Sequence, residues 1–360
     1  MVVVLFRTLY DFYFHFLGLD TFSQMLRLVG RNQYTLPAAK VLDTPRFPWR
    51  GLMIDSARHF LPLHVIKETL DIMEANKLNV LHWHLVDDQA FPFVSTSFPS
   101  LSKEGAFDPQ THVYTPEDVQ SVVDYARLRG IRVLAEFDTP GHTLAWGKGI
   151  KGLLTQCFDK HGKPVQPDMF GVMDVTANAT YDFVRKFFAE VVSRFPDAYQ
   201  HLGGDEVNFT CWASNPAVRE FMRRRSFGGD YRKLEGYYIQ RLVDIVSKEL
   251  RKSYVVWQEV FDDNVTLAKA DTAVVHVWKG REGSWPSEVK RIAQAGLKIL
   301  LSSPWYLNYI SYGTDWTKYY MAEPTNFDPA SAAQKRLILG GEACMWGEWV
   351  DASNLISRTW

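Results

Sequence analysis

The 360-residue sequence has little cysteine, no excess of either charge and no long uninterrupted apolar run. Three cysteines, Cys157, Cys211 and Cys344, are too few for a fold built on disulfides. A formal net charge of −1 argues against a nucleic-acid surface, which needs a basic excess. The most apolar segment, Met1 to Leu19, is interrupted by Arg7 and Asp11 and is too short to span a membrane. No small-residue cleavage site follows it, so it makes a poor signal peptide and reads as a packed helix. Low-complexity tracts, internal repeats, interdomain linkers, phosphate loops and Ser-His-Asp arrangements are all lacking.

What is present is an alternation. Eight short β-branched or aromatic runs, at Arg50–Asp55, Asn79–Val86, Ile131–Asp138, Tyr199–Glu206, Ser253–Val260, Asp271–Trp278, Leu297–Tyr306 and Leu337–Trp346, are separated by helical patterns. Amphipathic helices are predicted at Leu63–Asn76, Pro116–Arg129, Tyr181–Phe195, Tyr231–Lys252 and Pro286–Ala295, while the segment after the fifth run is a weak helix. This rhythm predicts an α/β fold, a (β/α)8 TIM barrel, with its site at the C-terminal ends of the strands. Chemically capable residues do gather there: Asp55 and Arg58, Asp87 and Asp88, Asp138 and His142, Asp205 and Glu206, Trp257 and Glu259, Trp278, Tyr306, Trp346 and Glu348. Twelve tryptophans exceed the needs of a core this size, so some are expected to line a sugar site while most pack the interior.

The most informative stretch is His201-Leu-Gly-Gly-Asp-Glu206. Glycines inside a strand mark close approach by backbone or ligand. Two adjacent carboxyls disfavour joint ionisation, so one is expected to rise toward the range of a general acid. A bare Asp-Glu dipeptide is more often a solvated pair; its place after a Gly-Gly strand favours chemistry. The stretch resembles the signature of the family 20 β-N-acetylhexosaminidases. Ser56-Ala-Arg-His-Phe60, His82-Trp-His-Leu-Val-Asp-Asp88, Glu136-Phe-Asp-Thr-Pro-Gly-His142, Val256-Trp-Gln-Glu-Val-Phe261, Pro304-Trp-Tyr-Leu-Asn308 and Gly340-Gly-Glu-Ala-Cys-Met-Trp-Gly-Glu348 agree with it. The likeness runs from about Gly18 to the end and is greatest to the lysosomal animal enzymes.

The resemblance implies a retaining exo-enzyme that removes terminal β-linked N-acetylglucosamine or N-acetylgalactosamine, with the substrate's 2-acetamido oxygen as nucleophile. Glu206 is then the general acid and Asp205 the residue that holds and polarises the acetamido group. Adjacency fits, since neighbouring strand residues start toward opposite faces. Arg58 grips ring hydroxyls, Trp257, Trp278 and Trp346 box the acetamido methyl, and Tyr306 bonds the acetamido oxygen. Asn308 and Glu348 reach the O4 and O6 side, and Asp87, Asp138, His142 and Glu190 support Glu206. The resemblance also implies a Cys157–Cys211 disulfide with Cys344 free and buried, a homo- or heterodimer, a lysosomal location, and neither metal nor cofactor.

Other features have plainer readings. His82 and His84 share a strand face and could bind metal, but no carboxylate or cysteine at ligand spacing completes a site. Arg223-Arg-Arg225 reads as a solvated helix end. Asn178, Asn208 and Asn264 open N-x-[ST] sequons, which are weak signs of glycosylation on their own. Against the family, residues 1–45 read as the remnant of an N-terminal non-catalytic domain and 46–360 as the barrel. An eighth helix is missing, so the chain reads as truncated at both ends. The outer faces of the first and eighth strands, with Leu337, Ile338 and Leu339, are therefore expected to be exposed. Asn308 matches the α-type subunit while Tyr309 replaces its arginine, which favours neutral hexosaminides over sialylated ganglioside. Two other functions remain: a catalytically silent glycan-binding or regulatory subunit, and a chitinase-like endo-enzyme.

Overall fold

The computed structural model describes residues 12–360 apart from 166–170, 264, 268–271, 281–282 and 329. All eight predicted runs form parallel strands: β1 (Trp49–Asp55), β2 (Val80–Val86), β3 (Arg132–Phe137), β4 (Tyr199–His201), β5 (Ser253–Trp257), β6 (Ala273–Val277), β7 (Lys298–Leu301) and β8 (Ile338–Met345). They close in chain order into a barrel, β8 returning to pair with β1 from Gly340↔Trp49 to Met345↔Ile54. The helices that cover it are α1 (Leu63–Ala75), α2 (Pro116–Arg127), α3 (Asn178–Arg194), α4 (Tyr231–Asp244), α5 (Gln258–Asp262), α6 (Trp285–Gln294) and α7 (Leu355–Thr359). A helix at Phe12–Met25 and a hairpin of Arg27–Gly30 with Gln33–Thr35 precede the barrel.

Local sequence explains the helices. In α2 the Thr115 hydroxyl accepts from Asp118 N–H and the Asp118 carboxylate accepts from Thr115 N–H, a capping box worth about 1 kcal/mol. Val119, Val122, Val123 and Ala126 then bury one face at helical spacing. α5 is only five residues long and begins at Gln258, inside the run read as the fifth strand, so that strand ends three residues earlier than expected.

Inside the barrel, alternate residues of each strand stack in three levels. The lowest is apolar: Trp49, Val80, Leu134, Val255, Val274 and Leu300. The next carries His82, Glu136, His201, His276 and Glu342, all buried. The upper level is Met53, Trp257, Tyr306, Cys344 and Trp346, the floor of whatever binds above.

Several strands end earlier than their apolar patterns. β4 stops at His201, so Asp205 and Glu206 lie on the loop beyond it, where Gly203, Gly204 and Glu206 have φ of +68°, +95° and +49°. Strand alternation therefore does not orient the two carboxyls; left-handed loop backbone does. Asp138 likewise follows β3, and Tyr306 follows a 3-10 turn at Ser303–Trp305 rather than extending β7. The expected exposure of the outer barrel faces is not found. Leu52, Ile54 and Ile338 are buried in the same apolar cluster as Ile66, Leu70 and Met73 of α1 and Leu355 of α7, while Leu337 and Leu339 are half-buried.

Candidate active site

Glycine places the acidic loop. A Cβ at Gly203 would collide with the Asp138 carboxylate, so only glycine lets the loop lie against it. Gly204 N–H then donates to Asp138 Oδ1 at 2.7 Å. Close approach at these glycines, expected from sequence, is what the backbone shows. Asp205 packs against Asp138, and both carboxyls are pushed well above the carboxylate range, by burial first and then by neighbouring negative charge. Asp138 Oδ2 and Asp205 Oδ1 are buried with no other partner, so one proton between them satisfies both. The carboxyl that shares a proton with Asp205 is thus Asp138, not its neighbour Glu206.

Glu206 points the other way, into solvent. It lies beside His142, with Nε2 3.9 Å from Oε2. His142 is held by Asp87, Nδ1 to Oδ1 3.1 Å. Burial lowers the imidazole, but Asp87 and Asp205 outweigh it and raise it to about 10. Asp87 also receives Arg58 Nη2 at 3.0 Å and His84 Nε2 at 2.8 Å. Burial works against its charge, yet His142 and Arg58 keep it below the usual carboxylate range.

Arg58 is gripped from its other side by Asp55, Nη1 to Oδ2 2.9 Å, and its guanidinium lies 5.0 Å from the Trp346 ring centre. Asp55 in addition accepts from Gly347 N–H at 3.0 Å, tying the β1 loop to the segment between Trp346 and Glu348. Glu348 is exposed and adds its charge to those facing Arg58. The aromatic residues converge as expected. Trp257 and Trp346 have ring centres 5.9 Å apart, Tyr306 and Trp346 6.5 Å, and Trp278 and Tyr306 6.2 Å. Two of the indoles are anchored by carboxylates: Trp257 Nε1 donates to Glu136 and Trp278 Nε1 to Glu259, each at 2.7 Å. Tyr309, where the α-type arginine was absent, stacks on Tyr306 at 5.3 Å.

Buried polar atoms without a partner cluster here: Arg58 Nε, His142 Nε2, Asn308 Oδ1 and Trp346 Nε1. Such atoms are costly unless a ligand completes them, so the upper level is built for a polar, partly apolar guest. Glu190 is the predicted site residue the structure does not bring in. It sits in α3, where its carboxylate accepts from Thr96 and Ser97 N–H and from the Ser95 and Thr96 hydroxyls. Four loop donors lower it to about 2 despite burial, and its work is to pin that loop. Glu136 was not singled out, and Asp55 and Glu259, though placed at strand ends, were given no role. Each was signalled by a carboxylate within or just past a buried strand.

Among the described residues four groups offer ligand atoms within 4.8 Å of one another; two of them are His82, His201 and His276, and Asp138, His142 and Asp205. In the first, His82 Nδ1 and Nε2 face Glu342 and Glu136. His201 Nδ1 accepts from Gly203 N–H, and its Nε2 faces His276. No three free nitrogens converge there. In the second, Asp138 and Asp205 share their proton. Cys157 and Cys211 form the expected disulfide, linking the loops after β3 and β4, and Cys344 is free and buried. Asn178 is exposed, Asn208 is half-buried with Oδ1 accepting from Thr210 N–H, and Asn264 lies outside the described residues.

The profile of the glycosyl hydrolase family 20 catalytic domain matches residues 47–360. The chain belongs to that family. It is 53% identical over 343 residues to the β subunit of β-hexosaminidase from Mus musculus, covering 95% of this chain and 62% of the relative. To the α subunit from Bos taurus it is 52% identical over 345 residues, covering 95% and 64%. The chain thus spans less than two thirds of the length of these curated relatives. Among solved family 20 structures, the chitobiase of Flavobacterium johnsoniae superposes with a TM-score of 0.81 at 31% identity, covering 95% of this chain and 51% of the other. The exo β-N-acetylglucosaminidase of Vibrio harveyi, solved with N-acetylglucosamine, gives 0.76 at 26%, covering 93% and 56%.

Proposed function

We propose that this family 20 chain is a retaining exo-β-N-acetylhexosaminidase acting on terminal β-linked N-acetylglucosamine or N-acetylgalactosamine. The observation that carries the reading is the division of labour between two adjacent carboxyls. Asp205 is buried and shares a proton with Asp138, whereas Glu206 is exposed beside His142. In ordinary retaining glycosidases two carboxyls flank the scissile bond, and family 20 belongs to the substrate-assisted exceptions. Glu206 then gives its proton to the glycosidic oxygen while the acetamido oxygen attacks the anomeric carbon, breaking its bond to the leaving group. The Asp138–Asp205 pair carries one negative charge toward the acetamido N–H as it becomes positive. Water opens the resulting oxazolinium ring, losing its proton to Glu206, and the β configuration is restored. Arg58 suits two neighbouring hydroxyls, Trp257, Trp278 and Trp346 suit the acetamido methyl, and Tyr306 its oxygen. Asn308 and Glu348 remain for the O4 and O6 side.

A chromogenic N-acetylglucosaminide tests this directly, alongside the same sugar lacking the acetyl group. Only the acetylated substrate should turn over, and a bicyclic thiazoline analogue should inhibit. A covalent sugar on Asp205 or Glu206, seen by mass spectrometry, would overturn the substrate-assisted step. We place the enzyme in the lysosome by likeness to its relatives, and the Cys157–Cys211 disulfide speaks for passage through an oxidising compartment. No helix among the described residues is long and apolar enough to cross a membrane. Assembly as a homo- or heterodimer is part of the same proposal. The relatives are named as subunits, and Ile310, Tyr312, Trp316, Tyr320 and Met321 expose a run of large apolar side chains. Sedimentation would show it.

A further inference from the structure

Below the aromatic floor, one carboxylate touches two parts of the site that the strand ends hold apart. Glu136 Oε1 accepts from Trp257 Nε1 at 2.7 Å. Its Oε2 lies 2.7 Å from His82 Nε2 and 2.9 Å from His84 Nδ1. Both rings approach off their N–H axes, so these are ion-pair contacts rather than linear hydrogen bonds. His84 Nε2 reaches Asp87, Asp87 holds His142, and His142 faces Glu206. On the far side His82 Nδ1 meets Glu342 at 2.5 Å. His82, His84, Asp87, Glu136 and Glu342 are each at most 1% exposed, so water does not share in fixing their geometry. His201 Nδ1, 3.6 Å from Glu136, already accepts from Gly203 N–H and adds no fourth donor.

We propose that Glu136 is a positioning residue of the hydrolysis described above. Through His84 and Asp87 it fixes His142 beside Glu206, and through Trp257 it fixes the floor beneath the acetamido group. The inference rests on that functional reading. A carboxylate only accepts, and its lone pairs can face three N–H groups at once. Burial works against its charge, but the neighbouring imidazoles, of which His84 and His82 lie against its Oε2, keep it well below the carboxylate range. His82 is raised to about 9 and His84 well above its usual value, although burial opposes both. A glutamine of the same shape cannot do this. With its oxygen on Trp257, its NH2 faces two imidazoles that must both give up a proton there. Turned round, it sets N–H against the Trp257 N–H.

The groups that share this field are Asp138, His201, His276 and Cys344 around Glu136. Around His142 they are Asp87, Asp205, Arg58 and Glu206. The test compares wild type with Glu136→Gln, His84→Asn and Trp257→Phe. The readouts are kcat, KM and their pH profile on a chromogenic N-acetylglucosaminide, N-acetylglucosamine binding by calorimetry, and imidazole 15N spectra. Glu136→Gln should lower kcat by about 10- to 100-fold, the scale of a roughly 1 Å misplacement. It should also move the pH profile, weaken N-acetylglucosamine and abolish two imidazolium signals. His84→Asn should move the pH profile without weakening the sugar, and Trp257→Phe should weaken the sugar without moving the profile. If Glu136→Gln does not fold, the other two variants decide. An unmoved pH profile and intact imidazolium signals in Glu136→Gln would overturn the proposal, as would His84→Asn and Trp257→Phe behaving alike. A wild type that binds N-acetylglucosamine without hydrolysing any N-acetylhexosaminide sinks the functional reading instead, while the spectra and the binding still decide the role of Glu136.

Discussion

Replacing Glu235 by glutamine should stabilise the protein, and the more so the higher the pH. Glu235 lies on α4, 2% exposed, and its carboxyl bonds Asp263 just past α5. Burial first, then the charge of Asp263, raise it from 4.5 to about 9, with Glu259 and Asp205 adding to the push. Asp263 is itself raised by burial, so the pair keeps a proton that the unfolded chain releases. A folded-state value above the unfolded one means stability present in full below about pH 4.5 and lost as the pH climbs toward about 9. One pH unit in that window costs at most about 1.4 kcal/mol, so pH 5 to pH 8 costs wild type up to about 4 kcal/mol. The side-chain amide of Glu235→Gln keeps an N–H toward Asp263 at every pH and does not titrate. His82 and His142, raised to about 9 and about 10, also lose stability with rising pH, but equally in both proteins, and cancel in the difference. Urea unfolding at pH 5, 6.5 and 8 should therefore find the two proteins close at pH 5. The variant should lead by a few kcal/mol at pH 8, or several degrees in Tm. A difference that does not change with pH would refute the shared proton.

Glu206→Gln should lose about 10²- to 10⁴-fold on poor leaving groups and far less on good ones, measured with a series of aryl glycosides; equal losses would assign Glu206 another role. Arg58→Lys should lower kcat/KM by about 10- to 100-fold, because one ammonium cannot span Asp55, Asp87 and a sugar hydroxyl, each charge-assisted bond being worth about 1.5–3 kcal/mol; steady-state kinetics check it. A Cys157→Ser, Cys211→Ser double variant opens a loop with a sequence separation of 54 and should cost about 4 kcal/mol in denaturant unfolding. Non-reducing peptide mapping that found both thiols free in the folded enzyme would remove the basis for that loss.

Much of the barrel and its mouth was legible because both obey periodic rules. Strands buried on two faces read as apolar runs, and the barrel's chemistry gathers at one end of each, so Asp87, Asp138, Asp205, Glu206, Trp346 and the rest could be found by position. Strand ends were read too long because apolar composition continues past the end of the regular strand: Leu202 and Val260 are buried but lie outside β4 and β5. That error had a chemical consequence. It put Asp205 and Glu206 on one strand, where they would repel each other, whereas the left-handed backbone after Gly203 turns them to different neighbours. Glu190 was misplaced for the opposite reason. A buried acid on an amphipathic helix looks the same in sequence whether it serves a site or caps a loop.

The polar level beneath the floor was harder to see, since its members lie far apart in the chain and each sits among the apolar residues of a different strand. His82, Glu136, His276 and Glu342 come from four strands, with a separation of 260 residues between the paired His82 and Glu342. Only closure of the barrel puts them at one height. A physical rule still constrains them, because a buried charge is tolerated only when it is paired. Each lone ionisable residue inside a doubly buried strand therefore requires a partner from another strand at the same level. Parallel register supplies the candidates: His82↔Leu134 and His84↔Glu136 are direct neighbours across β2 and β3, and Glu136↔His201 across β3 and β4. With alternate residues facing inward, His84, Glu136 and His201 must meet inside the barrel, and His82 lies two residues below His84 on the same face. The carboxylate at their junction is the one that also receives the Trp257 N–H. The contacts from Glu342 through His82 and Glu136 to His84 thus follow from strand register and from the cost of an unpaired buried charge, while those from Asp87 through His142 to Glu206 are made by the loops beyond the strands.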